Sequence, residues 1–176
     1  MYPVFRMAKE IVKFRNAPPL PVTGTHVSHH ICWPWDIDLW MELNNGRTLT
    51  LYDLGRIPLA IRTGLWAALK TNRWGLVVAG NSTRYRRRVR AFQKIEIRSR
   101  CVGWDERWMY LEHAMFTGGE CSSHLLVRAA VTSRNGMVAP ARVLEAMGQS
   151  TQSPPLPAWI TAWAEADATR PWPPEI

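Results

Sequence analysis

Residues 36–48 read Asp36-Ile37-Asp38-Leu39-Trp40-Met41-Glu42-Leu43-Asn44-Asn45-Gly46-Arg47-Thr48. Two carboxylates stand at the exit of an apolar stretch, a third follows at Glu42, and Asn44-Asn45-Gly46 makes the polar start of a helix. The first amides of a helix have no partner inside it and carry partial positive charge. A carboxylate facing them can attack a carbonyl that they polarise. Asp and Asn ahead of a helix are also its usual capping residues, so each side chain has a purely structural use as well.

Upstream of this stretch, Thr25 to Trp35 is rich in His, Val and Ile and reads as a strand. Downstream, Leu49, Leu51, Leu54, Ile57, Ala60, Ile61, Leu65 and Leu69 recur at helical steps. Gly55 and Pro58 are expected to kink this helix or divide it. Its wide apolar stripe needs a sheet to cover it. Gly75 to Arg90, Gln93 to Val102, Arg107 to Phe116 and Cys121 to Arg134 supply four strand-like runs. The breaks between them are short, which predicts hairpins and consecutive antiparallel neighbours.

A further helix is expected over Pro140 to Met147, with proline in its first turn. Ahead of the first strand, Met1 to Arg15 alternates apolar positions with Arg6, Lys9, Lys13 and Arg15, a short amphipathic helix with a basic side. Its apolar side suits docking on the body or on a partner subunit; its basic side also allows weak contact with a membrane surface. Pro18, Pro19 and Pro21 then form a stiff linker. The chain thus divides into an N-terminal helix and linker (1–22), a central domain (23–148) and a proline- and tryptophan-rich tail (149–176). The tail is expected to wrap the surface, with a turn or two of helix near Trp159 to Glu165. An α+β fold follows, in which an antiparallel sheet curls around one long helix.

With 176 residues, 47% of them hydrophobic and 20% charged, the composition is that of one globular domain. The formal charge of +8 favours polyanionic partners: nucleic acid, an anionic membrane, or a phosphate-bearing ligand such as coenzyme A. Cys32, Cys101 and Cys121 lie on expected strands without metal-ligand spacing and read as reduced core residues of a cytoplasmic protein. No signal peptide and no membrane-spanning run is apparent.

Asp38 followed by Asn44-Asn45-Gly46-Arg47 resembles the Asp-x-x-x-His-x-Asn-Asn-x-Arg-Tyr pattern of hot-dog acyl-CoA thioesterases of the 4-hydroxybenzoyl-CoA type. Ser82-Thr83-Arg84-Tyr85-Arg86-Arg87 is similar to the strand which that family places after its helix. The likeness spans roughly Thr25 to Arg134. Glu42 stands where the family has His, and Thr48 where it has Tyr. The resemblance narrows the fold to the hot-dog type and implies hydrolysis of acyl-CoA or acyl-carrier thioesters. Asp38 would then be general base or nucleophile, Asn45 would orient it or its water, and amides around Asn44 to Gly46 would hold the carbonyl oxygen. Asp36 reads as a cap or turn residue. Glu42 is either a solvated helix-start carboxylate or an alternative base. The family also implies a homodimer or tetramer, with the tunnel at the subunit boundary and no metal or redox cofactor. A non-catalytic acyl-thioester or lipid-binding protein of the same fold is the alternative.

Arg84, Arg86, Arg88 and Arg90 sit two apart, so on a strand they share one face, with Lys94, Arg98 and Arg100 continuing beyond the turn. Tyr85, Val89, Ile95 and Ile97 would then face the helix. Such a stripe suits the phosphates of coenzyme A, and the family likeness adds Arg107 near the Trp104 corner. A solvated face paired with Glu96, Asp105, Glu106 or Glu112 is the plainer use. Nucleic-acid binding is not expected, because no helix-turn-helix, zinc-finger or base-stacking signature accompanies the stripe. His29 and His30 face opposite sides of one strand, and His113 and His124 lie on separate strands. These read as buried or hydrogen-bonded histidines rather than metal ligands.

Overall fold

The structure is a computed structural model and describes residues 2–174. In chain order it contains α1 (Val4–Phe14), β1 (His26–Ile31), a 3-10 turn (Pro34–Asp36), α2 (Asn45–Arg62) and α3 (Leu65–Asn72). There follow β2 (Gly75–Tyr85), β3 (Lys94–Trp104), β4 (Met109–Thr117), β5 (Glu120–Ser133), β6 (Gly136–Val138), α4 (Pro140–Ala146) and α5 (Ala158–Ala168). The strands form one antiparallel sheet in the order β1-β3-β4-β5-β2, with the short β6 also paired to β5. The sheet curls around α2, the hot-dog arrangement expected from the sequence.

Alternation along β3 sets the layers. Ile95, Ile97, Ser99 and Cys101 are buried, while Lys94, Arg98 and Arg100 between them are exposed. Leu51, Tyr52 and Leu54 of α2 are fully buried and join Ile95, Ile97, Met115 and Leu125 in one core. Each such side chain withdrawn from water contributes about 1.5–3 kcal/mol.

The helix is not divided where the sequence suggested. It continues through Gly55 and Pro58, and the break falls at Gly64, with φ 85°. Pro58 leaves one carbonyl of α2 without its usual donor, a cost that the packed stripe around it outweighs. Gly55 has a different task. A Cβ there would lie 2.5 Å from Ser99 Oγ and 2.9 Å from Ile97 Cγ2. Helix and sheet touch at that point, and only hydrogen fits between them.

The expected neighbour relation of the second and third strands fails. β2 pairs with β5 at the edge opposite β1, not with β3. Residues 86–93 are therefore a crossing rather than a hairpin. Buried Val89 anchors it, its carbonyl accepts the Leu43 amide (2.8 Å), and the Arg86 and Arg87 amides donate to Ser122 O (2.8 and 3.1 Å). The other two turns are hairpins. Asp105 Oδ1 accepts the amides of Arg107 and Trp108 in the β3–β4 turn. Gly118 and Gly119, at φ 59° and 84°, make the β4–β5 turn.

The tail covers the outer face of the sheet. Ile160 of α5 is fully buried against Tyr110 and Leu126, with Trp108, Leu156 and Trp163 around them. Arg128 reaches Asp167 Oδ2 at 2.6 Å, and Trp104 Nε1 donates to Thr151 O at 3.0 Å. The helix of the tail, Ala158–Ala168, is longer than the turn or two expected. Of the cysteines, Cys32 and Cys101 are buried free thiols, but Cys121 is exposed and is not a core residue.

Candidate active site

Asp36 is more than a cap. Its side chain is fully buried and accepts from Arg6 Nη1 of α1 at 2.7 Å, Arg47 Nε of α2 at 2.6 Å, and the Trp33 amide at 3.0 Å. Burial alone would raise its pKa; the Trp33 amide and the two guanidinium groups outweigh that and hold it below the ordinary carboxylate value. One carboxylate therefore joins α1, the 3-10 turn and α2. The periodicity of α1 shows its apolar side but not that its Arg6 turns inward to this partner.

Asp38 opens a tight turn. Its amide donates to Glu42 O (2.9 Å), its carbonyl accepts from Met41 N (3.1 Å), and its Oδ1 accepts from Trp40 N (2.9 Å). An isolated bridge between Ile37 and Leu43 closes the base of the turn. The tip of this turn faces solvent rather than an apolar pocket. Leu39, Trp40 and Met41 at the tip are 96%, 78% and 73% exposed.

Asn44 caps α2, its Oδ1 accepting the Arg47 amide at 3.0 Å. The amides of Asn45 and Gly46 have no acceptor among the described residues. Gly46 stands close to the cap: a Cβ would lie 3.3 Å from Asn44 Oδ1. On one side of this helix start a cavity of about 230 Å³ is lined by Glu42, Asn45, Tyr85, Arg86, Arg88 and Ser123. Tyr85 Oη donates to Asn45 O (3.3 Å), and Glu42 pairs with Arg88 Nε (2.9 Å). Ser123 bonds the buried Tyr52 hydroxyl at 2.8 Å. Asn44 and Gly46 line the opposite side, a groove of about 1180 Å³ bounded by Phe5, Trp35 and Asp36.

Glu42, Asn45, Arg86 and Arg88 thus converge on one cavity, whereas Asp38 does not line it. Arg84 lies on β2 beside His124 of β5 and is exposed outside the cavity. The single-face stripe does not exist, because β2 ends at Tyr85 and Arg86, Arg88 and Arg90 belong to the crossing. Tyr85 does face the start of α2, through its hydroxyl on Asn45 O, but remains 45% exposed. Arg98 and Arg100 on β3 are paired with Glu96 and Glu112, each at 2.6 Å. Arg107 sits in the β3–β4 turn over the Trp108 ring (4.7 Å). That turn is at the other end of β3 from Lys94, which pairs with Ile31 just ahead of the motif. Arg107 does not line this cavity.

Sequence reasoning passed over Ser123, Thr48 and Arg87 as cavity residues and Arg6 and Arg47 as the partners of Asp36. A signal exists for one of them: Ser122-Ser123 is a small polar pair just ahead of the mostly apolar run from Leu125 to Val131. His26, His30 and His113 are buried, and His30 and His113 hydrogen-bond Ser28 and Ser99. Burial lowers their pKa values to about 4, 3 and 3, aided by Arg62, Arg6 and Arg56 respectively.

Known proteins resemble this chain in sequence or in fold. THEM6 of Drosophila melanogaster is 29% identical over 148 residues, covering 82% of this chain and 75% of its own. THEM6 of Xenopus laevis is 30% identical over 162 residues, covering 90% and 76%. Among solved structures, the DHNA-CoA thioesterase of Staphylococcus aureus superposes with a TM-score of 0.62 at 11% identity, over 82% of this chain and 91% of that one. Another Staphylococcus aureus protein, solved in complex with CoA, gives 0.62 at 11% identity over 77% and 92%. At such identities the likeness shows the fold. The model of the thioesterase-like superfamily matches residues 32–164, from the end of β1 into α5, and this chain belongs to that superfamily.

Proposed function

We propose that the protein hydrolyses acyl-CoA or related acyl-carrier thioesters to free acid and thiol. One observation carries this reading: the cavity at the start of α2 unites carboxylate, helix-start residue and arginines, namely Glu42, Asn45, Arg86 and Arg88. The amides of Asn45 and Gly46 would hold the oxyanion as the carbonyl becomes tetrahedral. Asp38, across the turn from Glu42, would take a proton from water as that water adds to the carbonyl and the thiolate leaves. Alternatively it would attack the carbonyl itself, expel the thiolate and form a mixed anhydride that water then cleaves to the free acid. Arg86, Arg88 and Arg84 would meet the phosphates of coenzyme A. Arg107 would serve from a partner subunit of a homodimer or tetramer, for which the exposed edge of β2, with Val77 and Val78 half-exposed, offers a pairing surface. Free thiols agree with a reducing compartment, which we take to be the cytoplasm.

The second reading is a protein that binds acyl thioesters without cleaving them. It is favoured by the carboxylates already being engaged, Asp38 by the Trp40 amide and Glu42 by Arg88. Turnover of acyl-CoAs of graded chain length separates the two. Hydrolysis by the natural protein is expected, falling at least ~100-fold in Asp38→Asn. Equal rates in that variant with loss in Glu42→Gln would transfer the role of base to Glu42. Binding without turnover by the natural protein would establish the second reading.

A further inference from the structure

One end of the molecule carries an unusual surface. The turn tip Leu39-Trp40-Met41 emerges there, beside the 3-10 turn with Trp35 (67% exposed). The start of α1 brings Phe5, 92% exposed, to the same groove as Trp35. The crossing from β2 to β3 brings Phe92, 67% exposed, which meets Trp33 edge-on while Trp33 stacks on Trp35. Hydrogen bonds tie these segments together: Leu43 N to Val89 O, Phe92 N to Cys32 O, and Arg6 to Asp36. Six large apolar side chains therefore project from one framework rather than being scattered singly. Contiguous exposure of that kind marks a surface that meets something.

The same end is cationic. Arg86, Arg87, Arg88 and Arg90 are exposed on the crossing, and Arg86 and Arg90 have no carboxylate partner among the described residues. The turn tip is also held in shape. Asp38 bonds three backbone positions of it, and Met41 sits at φ 59°. Leu39 and Trp40 are thus presented outward without a loop having to order first. Aromatic and aliphatic tips framed by arginines match the headgroup boundary of a bilayer containing anionic lipid.

We propose that this end docks on an anionic lipid surface, with Leu39 and Trp40 entering the acyl-chain boundary and the crossing arginines meeting the headgroups. The inference does not depend on hydrolysis, and its test contains no thioester. Flotation of the full-length protein is measured with vesicles of equal parts phosphatidylcholine and phosphatidylglycerol, and with phosphatidylcholine alone, at low and high salt. Binding to the anionic vesicles is expected, weaker by about tenfold or more on neutral ones and falling as salt rises. Leu39→Ser/Trp40→Ser is expected to lower partition at least ~10-fold, and Arg90→Glu by about tenfold, with thermal melting of both variants unchanged. Four results would overturn the proposal: no flotation, equal flotation on neutral vesicles, flotation indifferent to both variants, or a double variant that changes only the oligomeric state. The last result would identify the tip as a contact between copies.

Discussion

Asp36 and Asp38 are two positions apart and do opposite work. Asp36 is sealed between Arg6 and Arg47, whereas Asp38 holds only the backbone of an exposed turn. Removing the charge of Asp36 leaves two guanidinium groups against a buried amide. Asp36→Asn is expected to destabilise the fold by about 3 kcal/mol, and Asp38→Asn by less than about 1 kcal/mol, in urea denaturation. The sequence could place both at a helix entrance, but it could not rank their burial. That ranking depends on Arg6, thirty residues away and on another element. The histidines make a second prediction at this scale. His26, His30 and His113 have folded pKa values below the ordinary 6.5, so the unfolded chain takes up protons first as pH falls. Their contribution is complete above about 6.5 and is lost progressively toward about 4 for His26 and about 3 for His30 and His113. Each should cost about 2 kcal/mol by about pH 5, before most carboxylates titrate. Denaturation midpoints across that interval, compared with those of His113→Gln, check this.

At the scale of elements, Gly55 is the test case. In an isolated helix, alanine would be better than glycine by about 1 kcal/mol. Here its methyl would push α2 off Ser99 and Ile97, so Gly55→Ala is expected to lower stability by about 2 kcal/mol, read as a fall in melting temperature. The sequence showed a glycine within a helical pattern and suggested a kink; the reason for it lies on β3. Strand pairing was hidden for a similar reason. Period-two alternation gives the face of a strand but not its neighbour, and a short connection resembles a hairpin until Val89 is seen buried in it. The helix start at Asn44-Asn45 and the turns at Asp105 and Gly118-Gly119 were legible because their chemistry is local.

At the scale of the whole molecule, the tail completes the outer face of the sheet. Tyr110 and Leu126 on one side and Ile160 on the other are buried against each other, with Leu156 and Trp163 of the tail packed around them. Deleting 149–176 is expected to cost about 4 kcal/mol and to promote association through the uncovered face, read by urea denaturation and light scattering. The wrapping of the tail could be anticipated from its prolines and tryptophans. Its partners could not, since they come from β4 and β5. The likeness to hot-dog thioesterases gave the fold and pointed to the start of α2 as a candidate site, while the convergence of Glu42, Asn45, Arg86 and Arg88 required the three-dimensional crossing.

The two-arginine seat of Asp36 has a practical reach beyond stability. The family match opens at residue 32, one position after β1 ends, yet one of the charges that neutralise Asp36 comes from residue 6. A fragment trimmed to the matched segment would lose an edge strand and keep a buried anion with half its counter-charge. The seat of Asp36 therefore draws on a residue ahead of the matched segment, and such a fragment is expected to be less stable than the whole chain.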